Sequence, residues 1–154
     1  MPPLLVENLQ ALNEWLDKEI GVTEWFFVSQ QRIDQFAEAT EDRQWIHLDR
    51  ARASRESPYA ATIAHGFLTL SLISHLLKEL LQIQNGVRLA VNYGLNRVRF
   101  PNAVRADSRI RARVVLQALK EVPGGVEAIF AVTIECEQSE KPGCVAEWIV
   151  RYYT

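Results

Sequence analysis

The sequence predicts an α+β fold in which an antiparallel, curled β-sheet wraps around one long central apolar helix. Three observations carry that prediction. From Thr62 to about Leu81 the chain is apolar on nearly every side, interrupted chiefly by small hydroxyls; a helix without a polar face is one that other elements surround. After Asn85-Gly86 the pattern changes to long β-type runs, Arg109 to Leu119, Val126 to Glu137 and Cys144 to Tyr153. In the middle run Val126, Ala128, Phe130, Val132, Ile134 and Cys136 alternate with Glu127, Ile129, Ala131, Thr133 and Glu135, the period of two that sends successive side chains to opposite faces of a sheet. A sheet curled about the helix buries the apolar surface of both.

The remaining elements follow in chain order. Leu5, Leu9, Leu12 and Leu16 recur at helical spacing and predict an N-terminal amphipathic helix over residues 1–20, ending near Gly21. Glu24 to Val28 is a short aromatic strand. Ser29 reads as an N-cap, with Ile33, Phe36 and Ala37 as the buried face of a helix reaching about Thr40. A turn over Asp42–His47 comes next. From Leu48 to Ala61 the chain is rich in Arg, Ser and Pro and predicts an irregular loop. Arg88 to Phe100 adds a strand closed by Pro101-Asn102, and Pro123-Gly124-Gly125 and Lys141-Pro142-Gly143 supply hairpin turns. No repeat or linker divides the 154 residues, so one domain over 1–154 is expected. A single sheet leaves long open edges, and pairing with a second copy would relieve them; a homodimer or higher homo-oligomer is expected.

Composition narrows the partners. A net charge of −2 gives no reason to expect nucleic acid or an anionic membrane. The apolar stretch carries His65, His75, Lys78 and Glu79, too polar for a membrane span. The start Met-Pro-Pro-Leu-Leu lacks a basic n-region, and Cys136 and Cys144 read as reduced, buried thiols, so a cytoplasmic protein is expected. No metal-ligand spacing, dinucleotide fingerprint or P-loop is present. No metal and no cofactor is therefore expected.

The chemistry concentrates in Asp42-Arg43-Gln44-Trp45-Ile46-His47. Residues five apart on one helix diverge by about 140°, so Asp42 and His47 can meet only if the backbone between them turns. Two readings stand side by side: a helix cap followed by a surface histidine, or a carboxylate and an imidazole aimed at one water. The wider stretch from Phe36 to Asp49 resembles the signature of the MaoC-like dehydratases, the (R)-specific or type-2 enoyl-CoA hydratases. Its usual form is Gly-Asp-x-Asn-Pro-x-His. Here Asp42 and His47 match, while Glu41, Gln44 and Trp45 stand where Gly, Asn and Pro are usual. The Gln-Trp-Ile-His variant is similar to the NodN-like branch, as are Thr62–Leu72 and Asn92–Pro101. The resemblance spans roughly residues 22 to 153 and implies a hot-dog fold with Asp42 and His47 as catalytic pair.

It also implies reversible syn addition of water to a trans-2-enoyl thioester, giving the (R)-3-hydroxyacyl product. The substrate would be a CoA or acyl-carrier-protein thioester. Neutral histidine titrates near physiological pH and can take a proton from water, while a carboxylate orients that water. Gly66, at the start of the buried helix, is the expected oxyanion donor through its unpaired backbone N–H; the alternative is a glycine chosen for close packing. Gln44, Trp45, Asn92, Tyr93 and Arg97 are candidate substrate contacts. Arg50, Arg52, Arg55 and Arg99, with Arg97, are candidates for carrier phosphates, each more readily read as a solvated surface arginine. His65 reads as a core histidine and His75 has no catalytic pattern around it. Two other functions stay open: a hot-dog acyl-CoA thioesterase, disfavoured because Thr62 to Leu77 holds no acidic residue, and a non-catalytic acyl-thioester-binding partner subunit.

Overall fold

The long alternating runs become the sheet. The computed structural model describes residues 1–154, and its three longest strands are β6 (Ser108–Val122), β7 (Gly125–Cys136) and β8 (Ser139–Tyr153). The preceding strands are β1 (Leu4–Val6), β2 (Lys18–Val22), β3 (Phe26–Val28), β4 (Leu81–Ile83) and β5 (Leu89–Arg99). The helices are α1 (Gln30–Thr40), α2 (Trp45–Leu48), α3 (Arg50–Glu56), α4 (Gly66–Ser71) and α5 (Ile73–Leu80). The main sheet is antiparallel in the order β2-β6-β7-β8-β5, with β3 also on β6. Alternate residues make its inner face: Ile110, Ala112, Val114 and Leu116 on β6, Ala128, Phe130, Val132 and Ile134 on β7, all buried. They share one core with Leu68, Leu72, Ile73, Leu76, Leu77 and Leu80 of the central helix. Burial of each large aliphatic side chain here contributes roughly 1.5–3 kcal/mol.

The central helix packs on the sheet through one face and leaves a stripe of the other exposed. It runs as α4 and α5 with a tightened turn at Leu72 (φ −69°, ψ −18°), and Phe67, Ser71, His75, Lys78 and Glu79 form an exposed stripe. The expectation of a helix apolar on nearly every side and buried throughout is thus corrected for the single chain: the sheet packs on one face, while the other stays exposed although Phe26 of β3 reaches His75 at 5.5 Å and Phe100 reaches Phe67 at 6.2 Å between ring centroids.

Three further differences have local causes. The predicted N-terminal helix is instead β1, a 3-10 helix over Gln10–Trp15 and β2; Leu9 and Leu12 are buried as their spacing requires, but Leu5 lies on a strand that pairs in parallel with β4, and it is exposed. The predicted loop from Leu48 contains α3, capped where the Asp49 carboxylate accepts from the Arg52 amide at 2.9 Å. The second hairpin turn is Glu137-Gln138, not Lys141-Pro142-Gly143. Cys136 pairs with Ser139 and Ile134 with Cys144, so residues 140–143 bulge out of the ladder. Pro142, with no N–H to give, sits where no ladder bond is required. The first hairpin turn is where it was expected, with Gly124 at φ +81°, and a side chain at Gly125 would meet the Tyr152 carbonyl at 1.9 Å.

Candidate active site

The fold brings the end of α1, the single turn of α2 and the head of α4 together. Ser29 caps α1 by accepting from the Arg32 amide, as its sequence position predicts. Glu41 then leaves the helix in the left-handed region (φ 62°), a conformation that favours glycine. This gives a physical reason for the glycine usual at that place in the resembling sequences. Asp42 follows, exposed, in the loop before α2, and His47 lies inside α2. The two are on different elements, as an interval of five residues demands.

His47 is buried, 8% exposed, and held at three points. Its amide donates to the Gln44 carbonyl at 3.1 Å. Its carbonyl accepts from the Gln30 side-chain amide at 2.7 Å, and Gln30 is itself fixed by the Thr62 hydroxyl at 2.5 Å. Its Nδ1 lies 2.7 Å from the Ile63 carbonyl. A carbonyl oxygen only accepts, so Nδ1 carries the proton and Nε2 keeps its lone pair. Thr62–Ala64 is a rigid wall for this contact: Ile63 donates to the Ile46 carbonyl, Ala64 to Val104, and Ala106 to Thr62. Burial lowers the His47 pKa below its ordinary value; the Ile63 carbonyl opposes the shift, nearby His65 adds to it and Asp42 opposes it. The ring is therefore neutral at neutral pH.

His65 belongs to the same cluster, although its apolar setting in the sequence suggested a core residue. Its ring stacks on His47 with centroids 3.8 Å apart and an interplanar angle of 22°. Its Nε2–H donates to the Asp42 main-chain carbonyl at 2.9 Å. Phe36 covers it at 4.9 Å, and its Nδ1 is buried without any hydrogen-bond partner. Potential ligand atoms of Asp42, His47 and His65 lie within 4.8 Å of one another. Two of the four ring nitrogens already face carbonyls, and nearly parallel rings do not converge on one tetrahedral point, so the set suits water better than a metal.

Gly66 opens α4, as predicted. The amides of Gly66 and Phe67 donate to no backbone carbonyl, and a Cβ at Gly66 would lie 3.1 Å from the Phe100 ring. Of the other candidates, Gln44 is exposed and caps α2 through its carbonyl only. Trp45 supports the Arg52 guanidinium 4.1 Å above its ring. Asn92 lines a cavity of about 450 Å³ beside α5, with Ser74, Trp148 and Val150. Tyr93 is exposed under the Arg151 guanidinium, and Arg97 lies beside Glu147. No hydrogen bond or ring contact joins Asn92, Tyr93 or Arg97 to the Asp42–His47 pair. Arg50 pairs with Asp107 at 2.6 Å and Arg52 with Glu56 at 2.9 Å.

A curled antiparallel sheet on a central helix, with a buried imidazole and a carboxylate near the head of that helix, defines a hot-dog domain. The model of the MaoC like domain matches residues 12–135, and the chain belongs to the MaoC-like dehydratase family. It is 46% identical over 147 residues to 3-hydroxyacyl-thioester dehydratase Z of Mycobacterium tuberculosis, covering 95% of this chain and 96% of that protein. It is 42% identical over 135 residues to nodulation protein N of Rhizobium leguminosarum bv. viciae, covering 87% and 84%. The solved structure of the R-hydratase PhaJ1 from Pseudomonas aeruginosa shares the hot-dog fold, with a TM-score of 0.70 at 20% identity over 90% of this chain and 81% of that one. No helix is long and apolar enough to cross a membrane.

Proposed function

We propose that the protein is an (R)-specific enoyl-CoA hydratase acting reversibly as a 3-hydroxyacyl-thioester dehydratase. One observation carries the reading: the Ile63 carbonyl locks the His47 tautomer and leaves Nε2 with its lone pair, on a ring with a nitrogen within 4.8 Å of the Asp42 carboxylate. The mycobacterial relative's name supports the same chemistry. One water is held between Nε2 and the carboxylate. As its oxygen bonds to C3 of the enoyl thioester, a proton passes to the pair and the electron pair of the double bond moves toward the thioester carbonyl. A proton returned from the pair to C2, on the same face, completes syn addition. The free amide of Gly66 is suited to the charge building on the thioester oxygen, a contribution worth a few kcal/mol in comparable sites.

The substrate is a CoA or acyl-carrier-protein thioester, and no cofactor takes part. The working form is a homodimer built on the bare edge of β5. Leu89, Val91, Tyr93 and Leu95 are exposed there, with Phe67 and Phe100 exposed as well, an apolar edge of the kind that second copies cover. A cytoplasmic setting suits the two free cysteines, of which Cys144 has its thiol pushed up to about 11 by burial. Incubation with crotonyl-CoA tests the assignment. Loss of enoyl-thioester absorbance with (R)-3-hydroxybutyryl-CoA as product is expected. Release of free CoA would make the protein a thioesterase, and no turnover would leave it a binding subunit.

A further inference from the structure

His65 carries an energetic burden that packing alone does not explain. Its Nδ1 is buried with no partner, and leaving a buried acceptor unsatisfied destabilises the folded state. Phenylalanine or leucine would fill the same space between Phe36 and His47 without that cost. What only histidine supplies is a ring flat enough to stack on His47 at 3.8 Å and an N–H that reaches the Asp42 carbonyl at 2.9 Å. His65 is also covalently joined to Gly66 and accepts, through its carbonyl, the Leu68 and Thr69 amides that start α4. It is the one residue that touches the loop of Asp42, the ring of His47 and the amide at the helix head.

We propose that His65 is a positioning residue, resting on the hydratase reading above, which fixes Asp42, His47 and the Gly66 amide in register through its ring and its Nε2–H. The bond is to the main chain of Asp42, so the carboxylate stays free for water while its backbone cannot drift. The stack presents a flat wall behind His47, so the imidazole is held by Ile63 at its edge and by His65 on its face. The ionisable groups facing His47 are His65 from the head of α4 and Asp42 from the loop. From α1 it meets uncharged Gln30, whose side chain also holds Asp34, and Arg50 at the start of α3 is turned to Asp107.

Three variants separate the two contacts. His65→Phe keeps a ring and loses the donor, His65→Gln keeps an N–H and loses the ring, and His65→Ala loses both. A misplacement of about 1 Å lowers turnover about 100-fold, so His65→Ala should lose roughly that much kcat with KM changed less than about threefold. His65→Phe and His65→Gln should each recover part of the loss. Ring-nitrogen NMR of the substrate-free protein should show His47 protonated on Nδ1 in the wild type, with its titration midpoint higher in all three variants. Wild-type kcat and an unmoved His47 midpoint in His65→Ala, whatever its melting temperature, would overturn the proposal. A wild type inactive on crotonyl-CoA, with the His47 midpoint still moving, would overturn the hydratase reading and leave the positioning of His47 standing.

Discussion

On the outer face of the sheet Arg111 and Arg113 both reach Glu135, Arg113 also reaches Glu19, and Arg151 reaches Glu127. At the head of α4, by contrast, Nδ1 of His65 has no partner and His47 keeps a free lone pair. The two regions hold ionisable groups under opposite rules. Outside, the charges of this network face their opposites in reach of solvent; partial burial raises the Glu135 pKa, but bonds from Arg113 and Arg111 outweigh it and hold the carboxyl below its ordinary value. Inside, the two imidazoles are buried and each is paired through one ring nitrogen only, His47 to the Ile63 carbonyl and His65 to the Asp42 main-chain carbonyl. Saturated pairs have little left to offer a ligand, whereas the unsaturated ones at the helix head do.

That contrast can be broken at several levels. The largest effect belongs to the pocket: His47→Ala and Asp42→Ala should each lower kcat on crotonyl-CoA by about 1000-fold or more with a folded dimer retained by sedimentation. Activity within tenfold of wild type in either would end the division of roles. Next, Leu95→Lys puts a charge on the bare β5 edge and should shift the dimer toward monomer by at least about tenfold in dissociation constant, read by sedimentation equilibrium. The pH response comes third. His47 has its pKa lowered from 6.5 by burial, so the acid limb of kcat/KM should lie below that value. The unfolded chain binds the proton more readily, so the stability from keeping His47 neutral is complete above the unfolded value. It is lost as pH falls from there through the lower folded one. Melting of wild type and His47→Gln between about pH 5 and pH 8 should therefore converge on the acid side.

Two smaller effects sharpen the comparison. Glu41→Gly relieves a left-handed glutamate and should raise stability by up to about 1 kcal/mol in urea unfolding, with kcat retained. Glu135→Gln disrupts the outer network, yet exposed ion pairs are worth about 1 kcal/mol or less. Its stability should fall by no more than that and its turnover should not change.

What could be read from the sequence follows from which forces are local. The alternation of β7 and the apolar run of α4–α5 are set by burial along one element, and both are where the residues indicate. The strand at Leu4–Val6 depends on a partner at Leu81–Ile83, so the leucine spacing pointed to a helix that the long-range pairing overrode. Asp49 was a readable cap for α3, masked by the Arg and Ser around it. Asp42 and His47 announced themselves by spacing and by family likeness. His65 did not: a histidine in an apolar stretch looks the same whether it packs silently or stacks on a second imidazole, and only the contact of two loops distinguishes them. Its place directly before Gly66 was the one available signal.

The topology of β5 bears on how the chain matures during synthesis. β5 ends at Arg99, and within the chain its one partner strand is β8, which begins only at Ser139. A nascent chain therefore carries β5 with both edges open while β6 and β7 are still emerging, and non-local pairing of this kind is slow and exposed to misassociation. Closure on β8 satisfies one edge and leaves the other open, the edge proposed above for a second copy. Maturation of the monomer and assembly of the proposed dimer would thus converge on the same strand at the same late moment.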